Sequence, residues 1–149
     1  MRIVHRIHTA ATPAEVWELL GDPRRWPEFE LRLRQVRGSA GKASAGARLK
    51  AMARVAPVGL PVDIVEAVPG QRLVMVIHTM PGLRERVAVD ITPNVRRGSD
   101  VRVTVTLEGP LARVATVPLW FTSGVTTRVL ATRTDRIARA ARRGRQGAA

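Results

Sequence analysis

The fold of this chain is decided by residues 12–29, which read TPAEVWELLGDPRRWPEF. Thr12 and Glu15 have the spacing of a capping box, in which each side chain bonds to the backbone of the other residue, so we expect a helix to begin directly after Thr12. That helix is predicted to end at Gly21, because glycine tolerates left-handed dihedrals and a proline two residues later disfavours helix before it. A second, aromatic-bearing turn through Trp26 is predicted to follow.

The segments on either side of this stretch alternate between apolar and polar residues. Residues 2–9 alternate in this way, which is typical of a half-buried strand. Further strand candidates follow, of which the first two also alternate, and all are separated by glycine and proline turn signals at intervals of roughly 8–12 residues. They are Leu31–Arg37, Leu49–Val55, Val62–Val68, Arg72–Met80, Leu83–Thr92 and Asp100–Leu107. The sequence therefore predicts about seven strands.

The periodicity changes to that of a helix after Gly109 and keeps this period to about Arg143. A helix of about 30 residues is ~45 Å long, so it must lie across the sheet rather than beside one strand. Pro118 lies inside this segment and predicts a kink. The order of strand, two short helices, six strands and long helix predicts an α+β fold in which the helix packs on one face of an antiparallel sheet.

This order of elements resembles the START-like (SRPBCC) superfamily, whose members have the helix-grip fold. The resemblance covers nearly the whole chain, and around Asp22 to Phe29 the chain is most similar to bacterial polyketide cyclase/dehydrase-like members. It implies one domain over residues 1–143, in which a curved antiparallel sheet of about seven strands wraps around the long C-terminal helix. Residues 144–149 are expected to form a disordered tail. The resemblance further implies a long apolar cavity between sheet and helix, which holds a small hydrophobic molecule such as a lipid or polyketide.

The residues expected to line that cavity are large or adaptable apolar side chains. The resemblance implies that Trp26 and Phe29 close one end of it, because their turn would cap a helix-grip cavity there. Aromatic residues are few and valine and alanine are many, so the space between helix and sheet is expected to be underfilled. The other predicted ligand-binding residues are Val74, Val76, Met80, Val87, Val89, Trp120, Phe121 and Val125.

The turn at residues 81–82 predicts how its two strands pair. A two-residue loop, or a four-residue loop around the same turn, places Met80 opposite Leu83 and His78 opposite Glu85 on the inner face, whereas a three-residue loop shifts the pairs by one. A carboxylate beside a histidine orients the imidazole and raises its basicity, so His78 and Glu85 are the candidate catalytic residues for proton transfer.

Three functions are compatible with these features. The first is a carrier or sensor for the hydrophobic molecule, and the second is a polyketide cyclase or dehydratase that uses His78 and Glu85. The third is a basic interaction module, because the net charge is +13 and residues 133–145 hold six arginines against one aspartate. The arginine-rich C-terminal helix predicts weak contact with an anionic membrane. Nucleic-acid binding is not favoured, because only five aromatic residues are available for stacking.

Composition and residue spacing argue against a metal site, a membrane-spanning segment and a signal peptide. The chain has no cysteine, and His5, His8 and His78 have no metal-ligand spacing, so neither a metal nor a cofactor is predicted. No apolar run approaches the roughly 20 residues that span a bilayer. The N-terminal residues alternate like a strand and lack the apolar block of a signal peptide, so we expect a cytoplasmic protein. The oligomeric state is left open by the sequence.

Overall fold

The computed structural model describes residues 2–54, 57–113 and 124–148. The described residues form one antiparallel sheet of seven strands in the order β1-β7-β6-β5-β4-β3-β2, with two α-helices and two short 3₁₀ helices. The elements in chain order are β1 Arg2–Thr9, α1 Pro13–Leu20, the first 3₁₀ helix Pro23–Glu28, β2 Leu33–Arg37, β3 Arg48–Ala53, β4 Gly59–Val68, β5 Arg72–Met80, β6 Leu83–Pro93, β7 Ser99–Glu108, the second 3₁₀ helix Pro110–Arg113 and α2 Gly124–Gly147. The predicted α+β fold is confirmed.

Helix α1 begins as the sequence predicts. The Thr12 hydroxyl accepts from the Glu15 amide at 3.3 Å, and the Glu15 carboxylate accepts from the Thr12 amide at 3.1 Å. Gly21 closes the helix with a bond from its amide to the Trp17 carbonyl at 2.8 Å. The conformation of Gly21 is right-handed, so glycine is needed here for another reason: a Cβ atom would overlap the Trp17 indole.

The core lies on the concave face of the sheet. Alternate side chains of β4 to β7 point into it, and α1 and the first 3₁₀ helix cover it with further apolar groups. Helix α2 contributes a stripe at intervals of four residues, Leu130, Thr134 and Ala138, each at most 3% exposed. The helix continues to Gly147, four residues beyond the predicted end of the domain. The predicted kink at Pro118 lies outside the described residues.

A polar cluster fixes α2 against the end of β1. The Asp135 carboxylate accepts from the Ala10 amide at 2.8 Å and from the Thr9 hydroxyl at 2.7 Å. The hydroxyls of Thr9 and Thr134 are 2.9 Å apart, and both side chains are buried. Arg142 donates to the Ala10 carbonyl at 3.1 Å. We call this the anchored end of the sheet. The opposite end, where β1 begins and the hairpin Met80–Leu83 turns, we call the open end.

None of the helices in the described ranges contains a stretch that is both long enough and apolar enough to cross a membrane.

Candidate ligand-binding site

The β5–β6 hairpin decides where the predicted catalytic pair lies. Met80 pairs with Leu83 across a two-residue turn, as predicted, but a bulge at Thr79 then shifts the pairing by one residue. His78 consequently pairs with Arg84, and Glu85 pairs with Ile77. Because neighbouring residues of a strand point to opposite faces, His78 lies on the convex face and Glu85 on the concave face. The prediction that His78 and Glu85 are cross-strand neighbours is wrong.

The same shift divides the predicted ligand-binding valines between the two faces. Val87 and Val89 point into the concave core and are at most 1% exposed. Val74 and Val76 pair with Ala88 and Arg86 on the convex face and do not belong to the core cluster. Their predicted inward orientation is wrong, and the cause is the extra residue of the bulge, which no turn signal in the sequence reveals.

Glu85 occupies an unusual position for a carboxylate. Its side chain is fully buried on the concave face, in a row with Leu107 and Ile77. The inward orientation that the sequence predicts for Glu85 is therefore correct, although its predicted partner is on the other face of the sheet.

Trp26 and Phe29 lie inside the core. They are 1% and 0% exposed and pack in the same apolar cluster as Leu20, Leu33 and Val36. The Trp26 indole N–H donates to the Leu20 carbonyl at 2.8 Å, so its polar atom is also satisfied. The structure thus places both aromatic residues where they fill space between the first two helical elements and β2. Trp120 and Phe121 lie outside the described residues, and so does the side chain of Val125.

The concave face leaves little space beside its described side chains. The inward-pointing apolar residues along the middle of β5 to β7 are no more than 4% exposed: Leu73, Met75, Ile77, Val87, Val89, Val101, Val103 and Val105. Several surface grooves of about 700–800 Å³ lie outside the core, and the one at the open end, of about 700 Å³, combines exposed apolar side chains with polar ones. Val58, Leu60, Met80 and Leu83 contribute apolar surface to this groove, and Met80 is one of the predicted ligand-binding residues.

Polar side chains line the convex side of the groove. They are His78, Arg84 and Glu108, which come from three neighbouring strands. His78 Nε2 lies 2.9 Å from an oxygen of Asp63, and Arg84 Nε donates to Glu108 at 2.9 Å. The groove therefore combines an apolar wall with hydrogen-bonding groups along one side, which suits a molecule with an apolar body and a polar end.

The three histidines lie apart from one another. His8 bonds to Asp100 at 2.6 Å at the anchored end, His5 lies on the concave face of β1 opposite Val103, and His78 lines the groove. Among the described residues no group of three or more histidine, aspartate or glutamate side chains is placed to hold a metal ion.

Comparison with known proteins adds family and fold information. A family model described as "Polyketide cyclase / dehydrase and lipid transport" matches residues 1–142. A search of curated protein sequences found no match. Among solved structures, a protein from Mesorhizobium loti superposes with a TM-score of 0.72 at 20% identity, over 91% of this chain and 98% of the other.

Two further solved structures have the same fold. A protein from Rhodobacter sphaeroides has a TM-score of 0.65 and 24% identity, with 89% of this chain and 91% of the other covered. A START superfamily protein from Mycobacterium smegmatis has a TM-score of 0.59 and 14% identity, with 97% and 95% covered.

Proposed function

This chain belongs to the polyketide cyclase / dehydrase and lipid transport family, and from that premise we propose that it binds a small hydrophobic, lipid- or polyketide-like molecule in the groove at the open end. The observation that carries the proposal is the groove itself, whose volume of about 700 Å³ lies within the ~300–1,000 Å³ common for small-molecule sites. Its apolar wall buries the body of the ligand, and its polar side holds the head group.

The proposal differs from the sequence-based expectation in where the ligand lies. That expectation placed the molecule deep between the sheet and the C-terminal helix. The described concave side chains, such as Met75 and Val87 at 0% exposure, already have their surface covered. Groups that are already covered gain little from a ligand, whereas Met80 and Val58, at 45% and 48% exposure, still have apolar surface to bury.

Mutation of the groove tests the proposal. The probe is 8-anilinonaphthalene-1-sulfonate, followed by its fluorescence, with palmitate as the competing ligand. Met80→Asp places a charge in the apolar wall and should weaken both affinities by about tenfold or more. The matched control is Val95→Asp, because Val95 is fully exposed in the β6–β7 turn. Equal affinities for wild type, Met80→Asp and Val95→Asp would contradict the proposal.

A second candidate function is proton transfer on a bound polyketide-like molecule. The observation that favours it is the contact of His78 with Asp63, because a carboxylate orients an imidazole for general acid–base work and His78 lines the groove. Asp63→Asn separates the two functions, since Asp63 does not line the groove. An enzyme should lose turnover of a poly-β-keto thioester with this variant, whereas a carrier should keep its palmitate affinity and show no turnover in either form.

A further inference from the structure

We propose that the open end of the sheet is a docking surface for a bilayer that contains anionic phospholipid. This goes beyond ligand binding in the groove, because it is argued from side chains around the groove and predicts contact with a membrane even when no ligand is bound. Two observations carry it: large apolar side chains are exposed together at this end, and cations without ion-pair partners surround them.

The apolar part consists of four side chains, which we call the apolar rim: Leu31, Val58, Met80 and Leu111. They are 49%, 48%, 45% and 41% exposed. Leu31 precedes β2, Val58 precedes β4, Met80 ends β5, and Leu111 contacts the hairpin at Gly82. Because neighbouring strands are ~4.8 Å apart, the rim extends about 19 Å across the end of the sheet. Exposed apolar groups collected in one place mark a surface of interaction.

The charge at this end is positive. Arg2, Arg54 and Arg113 are exposed, and none of them forms an ion pair with another residue in the described ranges. The carboxylate nearest to Arg113 along the described chain is Glu108, which is half-buried and accepts from Arg84 at 2.9 Å. Each arginine held near an anionic lipid surface raises partitioning by about fivefold at physiological salt, so these three residues form an effective electrostatic anchor.

This combination fits a bilayer better than a polyanion. Apolar side chains can enter the boundary between head groups and acyl chains while the arginines contact the head groups. A nucleic acid would pair its phosphates with the arginines but would give the apolar rim no apolar partner, and the large apolar side chains exposed among the described residues include no aromatic group on which bases stack.

The sequence predicts a different membrane contact, through the arginines of the C-terminal helix. In the structure Asp135 bonds to Thr9 and Ala10, so the arginines that follow Asp135 lie toward the anchored end. The eight residues of β1 separate that end from the open end by about 26 Å. The two surfaces therefore lie at opposite ends of the sheet, and mutations can distinguish them.

The experiment is co-sedimentation of the full chain with vesicles of phosphatidylcholine and phosphatidylserine, compared with vesicles of phosphatidylcholine alone. Leu31→Ser with Leu111→Ser should weaken binding by about tenfold, because both side chains lose the apolar area that enters the bilayer. The matched control is Val65→Ser with Val95→Ser, which removes side chains that are 45% and 101% exposed elsewhere and should leave binding unchanged. Neither Leu31 nor Leu111 lines the groove, so palmitate affinity in solution should stay the same.

Charge variants complete the test. Arg2→Gln with Arg113→Gln should weaken binding by about 25-fold, whereas Arg143→Gln with Arg145→Gln on α2, an equal change in net charge, should weaken it by less than about threefold. Three results would overturn the proposal. The first is no binding of wild type to the anionic vesicles, and the second is a greater loss of vesicle binding with the α2 variant than with the Arg2 and Arg113 variant. The third is displacement of wild type from the vesicles by duplex DNA that the Arg2 and Arg113 variant no longer binds. If vesicle binding is absent while palmitate binding is normal, the proposed ligand site is unaffected, so each proposal can be refuted without the other.

Discussion

Replacing Trp26 tests whether this residue fills the core or lines a cavity. Its side chain is 1% exposed, and its indole N–H donates to the Leu20 carbonyl at 2.8 Å. If it fills the core, Trp26→Ala leaves a large void and should lower the free energy of unfolding by about 3–5 kcal/mol. Trp26→Phe keeps most of the volume but leaves the Leu20 carbonyl without its donor, which should cost about 1–2 kcal/mol.

Urea denaturation followed by far-ultraviolet circular dichroism measures these losses, because that signal does not depend on the tryptophan that is removed. For a chain of this size each kcal/mol lowers the melting temperature by about 2–4 °C, so Trp26→Ala should melt about 10 °C below wild type. Leu31→Ala is the control, since Leu31 is 49% exposed and should change the free energy of unfolding by less than about 0.5 kcal/mol. A loss below about 1 kcal/mol for Trp26→Ala, together with altered palmitate affinity, would refute the reasoning.

Three further predictions concern stability. Asp135→Ala removes the acceptor for the Ala10 amide and the Thr9 hydroxyl, so urea denaturation should show a loss of about 2 kcal/mol in the free energy of unfolding. Gly109→Ala should lower the free energy of unfolding by more than about 1 kcal/mol, because Gly109 has a φ of +114° and a Cβ atom would overlap the Gly82 carbonyl. Gly144→Ala is the control, since Gly144 lies on an exposed turn of α2, and it should raise the free energy of unfolding by about 0.5–1 kcal/mol. The hydrogen bonds from Arg24 lower the pKa of Asp22. The stability that Asp22 contributes is therefore complete above about pH 4 and is lost as the pH falls through its lower folded pKa. Denaturation between pH 7 and pH 2 should show that the free energy of unfolding falls less for Asp22→Asn than for wild type.

Local patterns were sufficient to predict the elements of the fold. The capping box of Thr12 and Glu15 predicts where α1 begins, and turn signals together with period-two alternation in most segments predict the seven described strands. These features depend on residues close together in the chain, and a strand with one buried face must alternate wherever it lies in the sheet.

The candidate site was less predictable, because it depends on a single irregular residue. Thr79 inserts into the β5–β6 ladder and moves His78 to the convex face, where it meets Asp63 on the next strand. A bulge changes the face of every residue that follows it, yet residues 73–77 of β5 are all apolar, so that strand has no alternation that would locate the bulge. The exposure of Met80 and Leu111 at one end likewise arises only when distant segments meet.

The location of the ligand is tested most directly by nuclear magnetic resonance of methyl-labelled methionine during titration with palmitate. The chain has four methionines, and two of them report on the two possible locations. Met80 lines the groove at the open end, whereas Met75 is fully buried on the concave face. We predict a saturable shift of the Met80 methyl resonance with little change at Met75. A saturable shift at Met75 that leaves Met80 unmoved would show that the molecule enters between sheet and helix, and would contradict the site proposed at the open end.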